Sequence, residues 1–338
     1  MTAQPQPWAA GSATGIGSHP GTDPREAAAT VFGELPDLPY LPELPARGPA
    51  AAMIGRAVSL LVDLPAETVP SGWRFTDRPG RDVSRARGWL GEDLDTVEER
   101  AEGYGGPFKI QIAGPWTLAA AIELRHGDKA LADPGAARDI AASLAEGVAQ
   151  YVADVQKRLP AAEIVLQLDE PTLPTALAGS VPTASGFGAL PAIEEQVARS
   201  ALAEVLAAAG VMTVVHCCAA SLPVDLCVRA GAGGLSIDFG LVHTLDEEGL
   251  GRALESGLRL LAGIVPSHDV ELSAAADSVE PVRTWWQRLG FAPETLAGSV
   301  VVTPSCGLAG ASPRYARAAL KHCREAGRVL LEAPEAGH

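Results

Sequence analysis

Short apolar runs alternate with longer amphipathic segments from about residue 109 to the end of the chain, and this alternation constrains the fold more than any other feature. Such a pattern is typical of parallel strands joined by helices. The predicted strands are FKIQIAG, EIVLQLDE, VMTVVHCC, GGLSIDF, RLLAGIVP and SVVVTPSC. Upstream, SATGIGSHP is predicted as a first strand and GWRF as one further, less regular strand.

The steady repetition of these units predicts an α/β fold, a single (β/α)8 barrel that occupies residues 1–338 as one domain. A doubly wound open sheet stays open as an alternative, because periodicity alone does not separate the two. Within the helical segments, Asp23 is predicted as an N-cap with Pro24 in the first turn, and Gly210 and Gly327 as residues just past helix ends.

Composition restricts the partners of the chain. Lys and Arg number 26 against 41 Asp and Glu, and the resulting charge of −15 disfavours phosphate backbones and anionic lipid surfaces. The first twenty residues contain no basic residue, and no apolar run reaches the roughly 18 residues of a membrane span. We therefore predict a soluble cytoplasmic protein with no nucleic acid or membrane partner.

Polar residues with metal-binding side chains cluster where the predicted strands end. They are Asp169, Glu170, His216, Cys217, Cys218, Asp238 and Cys306. Side chains alternate between the two faces of a strand, so His216 and Cys218 point one way and Cys217 the other. If His216 faces the barrel axis, Cys218 does too, and Cys217 packs outward against the helices.

Four of these residues form a candidate metal site: His216, Cys218, Asp238 and Cys306. One imidazole, one carboxylate and two thiolates suit Zn²⁺ and not Mg²⁺ or Ca²⁺, which prefer oxygen ligands. A core cluster without metal is the alternative interpretation of a strand-end histidine beside two cysteines. The five cysteines are too few for a disulfide scaffold in a chain of this length.

The motifs GIGSHP, IAGPWTL, LQLDEP, His216 with Cys218, LSID and TPSCGL, in this order, resemble the catalytic domain of cobalamin-independent methionine synthase. The resemblance implies a (β/α)8 barrel whose zinc binds the thiolate of homocysteine and presents it to a methyl donor. The family's His, Cys, Glu and Cys ligands correspond to His216, Cys218, Asp238 and Cys306. Asp238 departs from the pattern, because it is one methylene shorter than glutamate.

The resemblance also implies the substrate contacts. It places homocysteine on the loop after the first strand, at Ile16, Gly17 and Ser18, with its amino group held by Asp169. A second acidic contact is expected near AAAMIGRA, residues 50–57, which contains neither Glu nor Asp. A loop histidine of the family corresponds to His268 in VPSHD, which is therefore a candidate catalytic proton donor.

The methyl donor does not follow from the resemblance. Full-length family members carry a second, N-terminal barrel that helps to bind methyl-folate, and 338 residues leave no room for it. The predicted donor is therefore a methylcorrinoid or a corrinoid protein, with methyl-folate as the alternative. Two other functions stay open: another zinc-dependent thiol alkyl transferase, and a catalytically inactive homologue that binds zinc or thiols.

Overall fold

The computed structural model describes residues 7–335, and its largest element is a curled parallel sheet. The strands are β1 (Ala66–Val69), β2 (Gly72–Phe75), β3 (Pro107–Ala113), β4 (Ile122–Glu123), β5 (Glu163–Asp169), β6 (Met212–Cys217), β7 (Gly234–Asp238), β8 (Arg259–Val265) and β9 (Val300–Pro304). Six of them pair in the order β3-β5-β6-β7-β8-β9. This sequential order has no reversal, so the doubly wound alternative is wrong.

The helices follow the strands as the sequence pattern predicts. They are α1 (Pro24–Glu34), α2 (Met53–Leu60), α3 (Arg81–Arg100), α4 (Pro115–Ala121), α5 (Pro134–Arg158), α6 (Leu173–Leu177), α7 (Glu195–Ala209), α8 (Val224–Arg229), α9 (Glu247–Glu255), α10 (Ala275–Arg288), α11 (Leu296–Ser299) and α12 (Pro313–Glu332). Asp23 caps α1, with Pro24 as its first residue, and Gly210 ends α7 in the left-handed conformation. None of the described helices is long and apolar enough to span a bilayer.

The predicted first strand SATGIGSHP is extended but forms only isolated bridges, and a second extended segment follows near Tyr40. Isolated parallel bridges join Ala13 to Val302 of β9 and Tyr40 to Lys109 of β3, and a third joins Ser18 to Glu43. The structure thus confirms a mixed α/β, TIM-like fold with six parallel strands. Residues 7–335 do not contain a closed ring of eight regular strands.

The predicted strand GWRF forms, but in a different sheet. It is β2, which pairs with β1 antiparallel and with β4 parallel in a separate three-stranded sheet. Its assignment to the barrel is therefore wrong. The local sequence favours an extended conformation, but the pairing partners of a four-residue strand depend on contacts far away in the chain.

Opposite faces of the six-stranded sheet carry separate apolar clusters. The concave face contributes Val165, Met212, Val214, Leu261 and Val301 to a small cluster. Neighbouring residues of the other parity, such as Leu166, Val215 and Cys217, belong to the large cluster between the sheet and the helices. Asp169 and His216 have the parity of the concave set, so their side chains lie on that face at its carboxyl edge.

Gly327 lies inside α12 and not past its end, so the helix-end prediction is wrong at this position. A Cβ on Gly327 would lie 2.2 Å from the carbonyl oxygen of Gly11, and so glycine is needed for close packing. Gly88 in α3 is an exposed helical glycine with no atom within 4 Å of the corresponding position.

We expect Gly327→Ala to lower the free energy of unfolding by about 1–3 kcal/mol, because the added methyl group overpacks a backbone contact. Gly88→Ala, the control, is expected to raise it by about 0.5–1 kcal/mol through reduced backbone freedom. Chemical denaturation measures both changes. Equal effects of the two substitutions would contradict the close approach at Gly327.

Candidate functional site

Three side chains with metal-binding atoms meet at the carboxyl edge of the sheet. His216 lies near the end of β6, Cys218 follows that strand directly, and Cys306 lies in the turn after β9. One ligand atom from each lies within 4.8 Å of the other two. The parallel strands place these side chains together because all of their carboxyl ends share one edge.

The two thiols of this cluster are in direct contact. The Sγ atoms of Cys218 and Cys306 lie 3.0 Å apart, and both cysteines are free. Contact with Cys218, supported by His216, lowers the pKa of the Cys306 thiol to about 4 although burial opposes the shift. The same contact and burial raise the pKa of Cys218. The pair therefore holds one thiolate readily, and thiolate is the form that binds metals.

The ring of His216 is oriented by a hydroxyl group that the sequence analysis did not single out. His216 Nδ1 lies 3.0 Å from Ser236 Oγ, and both residues are buried. Nε2 is therefore the ring nitrogen available to a metal ion. Such a partner on the second nitrogen is the usual support for a histidine ligand. The motif LSID contained the signal, since Ser236 and Asp238 share one face of β7.

The donor atoms of this cluster fit a zinc ion. Zn²⁺ takes imidazole nitrogen and thiolate sulfur in tetrahedral sites, whereas Mg²⁺ and Ca²⁺ require oxygen. His216, Cys218 and Cys306 supply three such donors, and the neighbouring Ser236 completes the support of the imidazole. The cluster can therefore hold zinc with one further position for a carboxylate or a substrate thiolate.

Asp238, the predicted fourth ligand, has a different hydrogen-bond partner. It is the last residue of β7, and its Oδ1 accepts a hydrogen bond of 2.9 Å from the N–H of Gly240. The group of mutually close ligand atoms contains no oxygen of Asp238. Burial raises the pKa of Asp238, and the charge of Cys306 raises it further. Its role as a ligand stays a prediction.

His268, the predicted proton donor, lies on the exposed rim of the site. Its loop is held by Asp269, which accepts hydrogen bonds from the backbone and hydroxyl of Ser312. His268 and Asp238 both line a cavity of about 920 Å³ between the sheet edge and α10. His268 is not part of the three-residue cluster, and its catalytic role stays a prediction.

Asp169 lies beside the metal-type cluster. It ends β5 and pairs in register with His216 of β6. Gln167 Nε2 donates a hydrogen bond of 2.6 Å to its Oδ1. Burial raises the pKa of Asp169 to about 7, although His216 opposes the shift. The structure thus places this predicted substrate contact next to the candidate ligands.

Glu43 is a buried carboxylate that the sequence analysis missed. Arg56 Nε lies 3.3 Å from its Oε1, and Gln111 Nε2 donates to the same oxygen at 3.1 Å. Its charge raises the pKa of Asp169, so the two carboxylates are neighbours. The expected second acidic residue is absent from residues 50–57, and Glu43 lies shortly before that segment. Its proline-rich surroundings show no strand period, which is why the pattern gave no signal.

The loop at Ile16 and Gly17 is held by polar side chains from the concave face of the sheet. The carbonyl oxygen of Ile16 accepts hydrogen bonds from Lys109 Nζ at 3.0 Å and from Gln167 Nε2 at 2.9 Å. A Cβ on Gly17 would lie 2.9 Å from Cγ of Gln111. The close contact explains why this position is glycine.

Ser18 connects this first loop to the turn that carries Cys306. The N–H of Leu308 donates to the carbonyl of Ser18 at 2.9 Å. A Cβ on Gly307 would lie only 2.0 Å from Ser18 Oγ, so the two residues are in close contact. The predicted substrate loop and one predicted metal ligand therefore belong to one packed unit.

A parallel β/α sheet with a His-Cys-Cys cluster at its carboxyl edge defines a TIM-like protein with a candidate metal site. A sequence model of the family described as "Cobalamin-independent synthase, Catalytic domain" matches residues 11–329. The chain belongs to this family, and this membership indicates an enzyme of the methionine synthase type. No curated protein matches the chain.

One solved structure of a methionine synthase shares this fold. A B12-independent methionine synthase from Shewanella sp. W3-18-1, in complex with selenomethionine, aligns with a TM-score of 0.63 at 10% identity and covers 96% of this chain and 98% of its own. A GH113 beta-1,4-mannanase aligns with a TM-score of 0.43 at 11% identity, with 97% and 99% covered. At such identities the first likeness shows the fold alone.

We expect Cys218→Ala to abolish zinc binding and Cys217→Ala to leave it intact. Cys218 contacts Cys306, whereas the Cys217 side chain packs in the cluster between the sheet and the helices. Elemental analysis of each purified variant measures the metal, and circular dichroism confirms folding. If Cys217→Ala and Cys218→Ala both fold and lose the same amount of zinc, the assignment of the two side chains to opposite faces of β6 is wrong.

Proposed function

We propose that this chain is a zinc-dependent methyltransferase that transfers a methyl group to the thiol of homocysteine to give methionine. The observation that carries the proposal is the juxtaposition of the His216, Cys218 and Cys306 cluster with Asp169 one strand away. A thiol site beside a buried carboxylate suits a substrate that bears both a thiol and an ammonium group. The family membership supports the same reaction.

In this proposal His216, Cys218 and Cys306 hold the zinc, with Asp238 as the fourth ligand. Zinc supplies one kind of chemistry here, because coordination deprotonates a thiol that is mostly protonated at neutral pH and leaves it nucleophilic. Ser236 keeps the imidazole in place through its contact with Nδ1. Two cysteine ligands keep a bound sulfur electron-rich, which suits methyl transfer better than hydrolysis.

The amino acid part of homocysteine is proposed to lie between the first loop and two carboxylates. Its ammonium group lies against Asp169 and Glu43, which are both buried, and Asp169 is the strand partner of His216. Its carboxylate is bound by the loop at Ile16, Gly17 and Ser18. The backbone N–H groups of Gly17 and Ser18 donate no hydrogen bond to the residues that the structure describes, so they are available to an anion.

The methyl donor is proposed to be a methylcorrinoid or a corrinoid protein, with methyl-folate as the alternative. The charge of −15 supports this choice, because it disfavours the polyanionic tail of polyglutamylated folates. His268 is the proposed catalytic proton donor to the leaving group, and it lines the cavity beside Asp238. Because His268 lies at the exposed rim, it suits a proton donor that contacts the methyl donor and not the thiol of homocysteine.

The direct test is methyl transfer by zinc-loaded protein. We expect methionine to form from homocysteine with methylcobalamin or a methylated corrinoid protein, and Cys218→Ala to abolish the reaction. Turnover with methyl-folate as sole donor, within the usual enzymatic range of roughly 1–10³ per second, would refute the donor proposal. Methylation of other thiols but not homocysteine would refute the substrate, and no reaction with any thiol would indicate an inactive homologue.

The role of Asp238 is tested by metal affinity. If Asp238 is a ligand, Asp238→Ala weakens zinc binding by more than the ~10–100-fold that loss of a supporting partner costs. Ser236→Ala is the matched comparison on the same face of β7 and is expected to stay within that range. Competition with a zinc-binding dye measures both variants. An unchanged zinc affinity in Asp238→Ala would show that Asp238 is not a ligand. Its carboxylate would then serve only to accept the hydrogen bond from the N–H of Gly240.

A further inference from the structure

Lys109 is a buried cation on the concave face that has no role in the proposed chemistry. It belongs to β3, and its side chain is fully buried. Its Nζ donates to the carbonyl of Ile16 at 3.0 Å, to Gln167 Oε1 at 2.9 Å and to Gln111 Oε1 at 3.3 Å. Burying an amino group is costly unless it is fully hydrogen-bonded, and these three acceptors meet that need.

Lys109 sets the orientation of both glutamine amides together with two backbone carbonyls. Gln111 Nε2 donates to the carbonyl oxygen of Leu41 at 2.6 Å, and Gln167 Nε2 donates to that of Ile16 at 2.9 Å. An ammonium group can only donate, so each amide turns its oxygen toward Nζ and its NH₂ group away. Gln111 Nε2 then donates to Glu43 Oε1 at 3.1 Å, and Gln167 Nε2 donates to Asp169 Oδ1 at 2.6 Å. Two matching arms thus run from one lysine to two carboxylates.

We propose that Lys109 is a positioning residue that selects thiols carrying an α-amino group. Through Gln111 and Gln167 it holds Glu43 and Asp169 as oriented acceptors for the ammonium group of the substrate. The inference rests on the proposed function, because it takes the substrate to be an amino acid thiol. Lys109 itself contacts neither the substrate nor the metal ligands.

Charge supports the same arrangement. Burial lowers the pKa of Lys109 to about 7, and the carboxylates of Asp169 and Glu43 oppose that shift. The lysine and the two carboxylates are therefore linked electrostatically as well as through the amides. Without Lys109, each amide oxygen loses its buried donor. The orientation of each amide then depends on a single backbone acceptor, the carbonyl oxygen of Leu41 for Gln111 and that of Ile16 for Gln167.

The test uses Lys109→Met and two substrates that differ by one group, homocysteine and 4-mercaptobutanoate, which lacks the amino group. We expect the KM for homocysteine to rise about 10- to 100-fold, the range for loss of one charge-assisted hydrogen bond. We expect kcat for homocysteine and zinc content to stay within about threefold. We expect kcat/KM for 4-mercaptobutanoate to fall less than that for homocysteine, because only the lost contact with the Ile16 loop affects it. The variant thus loses its preference for the amino group.

Two further variants test each arm and remain informative if Lys109→Met does not fold. Gln111→Met and Gln167→Met are each expected to lower the preference for homocysteine, and either change added to Lys109→Met is expected to cost less than it does alone. Thr303→Val is the control, a buried change on β9 at a hydroxyl that has no hydrogen-bond partner among the described residues. It is expected to leave the preference unchanged.

The outcomes separate the two proposals. An equal loss of kcat/KM for both thiols in Lys109→Met, or in the two glutamine variants, would show a merely structural role and overturn the inference. If the losses of Lys109→Met and of either glutamine variant are fully additive in the double variant, Lys109 does not act through the amides of Gln111 and Gln167. If calorimetry and turnover show that the wild-type protein neither binds nor methylates homocysteine, the proposed function fails and the inference fails with it.

Discussion

The register of the parallel strands is the constraint on which the whole site depends. Ala113, Asp169, His216 and Ser236 are partners in successive strand pairs, so they form one row across the concave face. Each of these strands ends at this row or within two residues of it, and the loops follow. A slip of one residue in β6 would exchange His216 for Cys217 on that face and remove the imidazole from the site. The apolar cluster between the sheet and the helices opposes such a slip, because the slip would turn the polar imidazole of His216 into it.

Residues in regular strands could be predicted from the sequence, whereas those held by long-range contacts could not. The position and facing of His216 and Cys218 follow from the strand period and from the strand ends of a β/α sheet. Glu43 follows from neither, because it is placed by backbone hydrogen bonds to Gly17 and His19 in an extended segment without period. The position of Gly327 inside α12 could not be predicted for the same reason, because the residue it packs against, Gly11, is far away in the sequence.

Buried charges continue from the site toward the surface. Arg56 contacts Glu43 and also Asp93, where its Nη1 lies 2.5 Å from Oδ2. Asp93 is bound on its other side by Arg47, whose Nη2 lies 2.6 Å from Oδ1 and whose guanidinium lies over the ring of Trp89. Burial raises the pKa of Glu43, and Arg56 opposes that shift. Alternating charges therefore let a carboxylate stay in the interior, since an unpaired one would not be tolerated.

The close contact between Ser18 and Gly307 joins the two ends of the polypeptide. Residues of the first loop precede Cys306 by almost the whole chain, so this contact has one of the largest sequence separations in the fold. Contacts of this kind close late in folding, because the entropy of a long loop must be overcome first. During synthesis, the second thiol emerges only after every other strand has left the ribosome. The two thiols of the proposed metal site, Cys218 and Cys306, therefore come together only when β9 has joined the sheet.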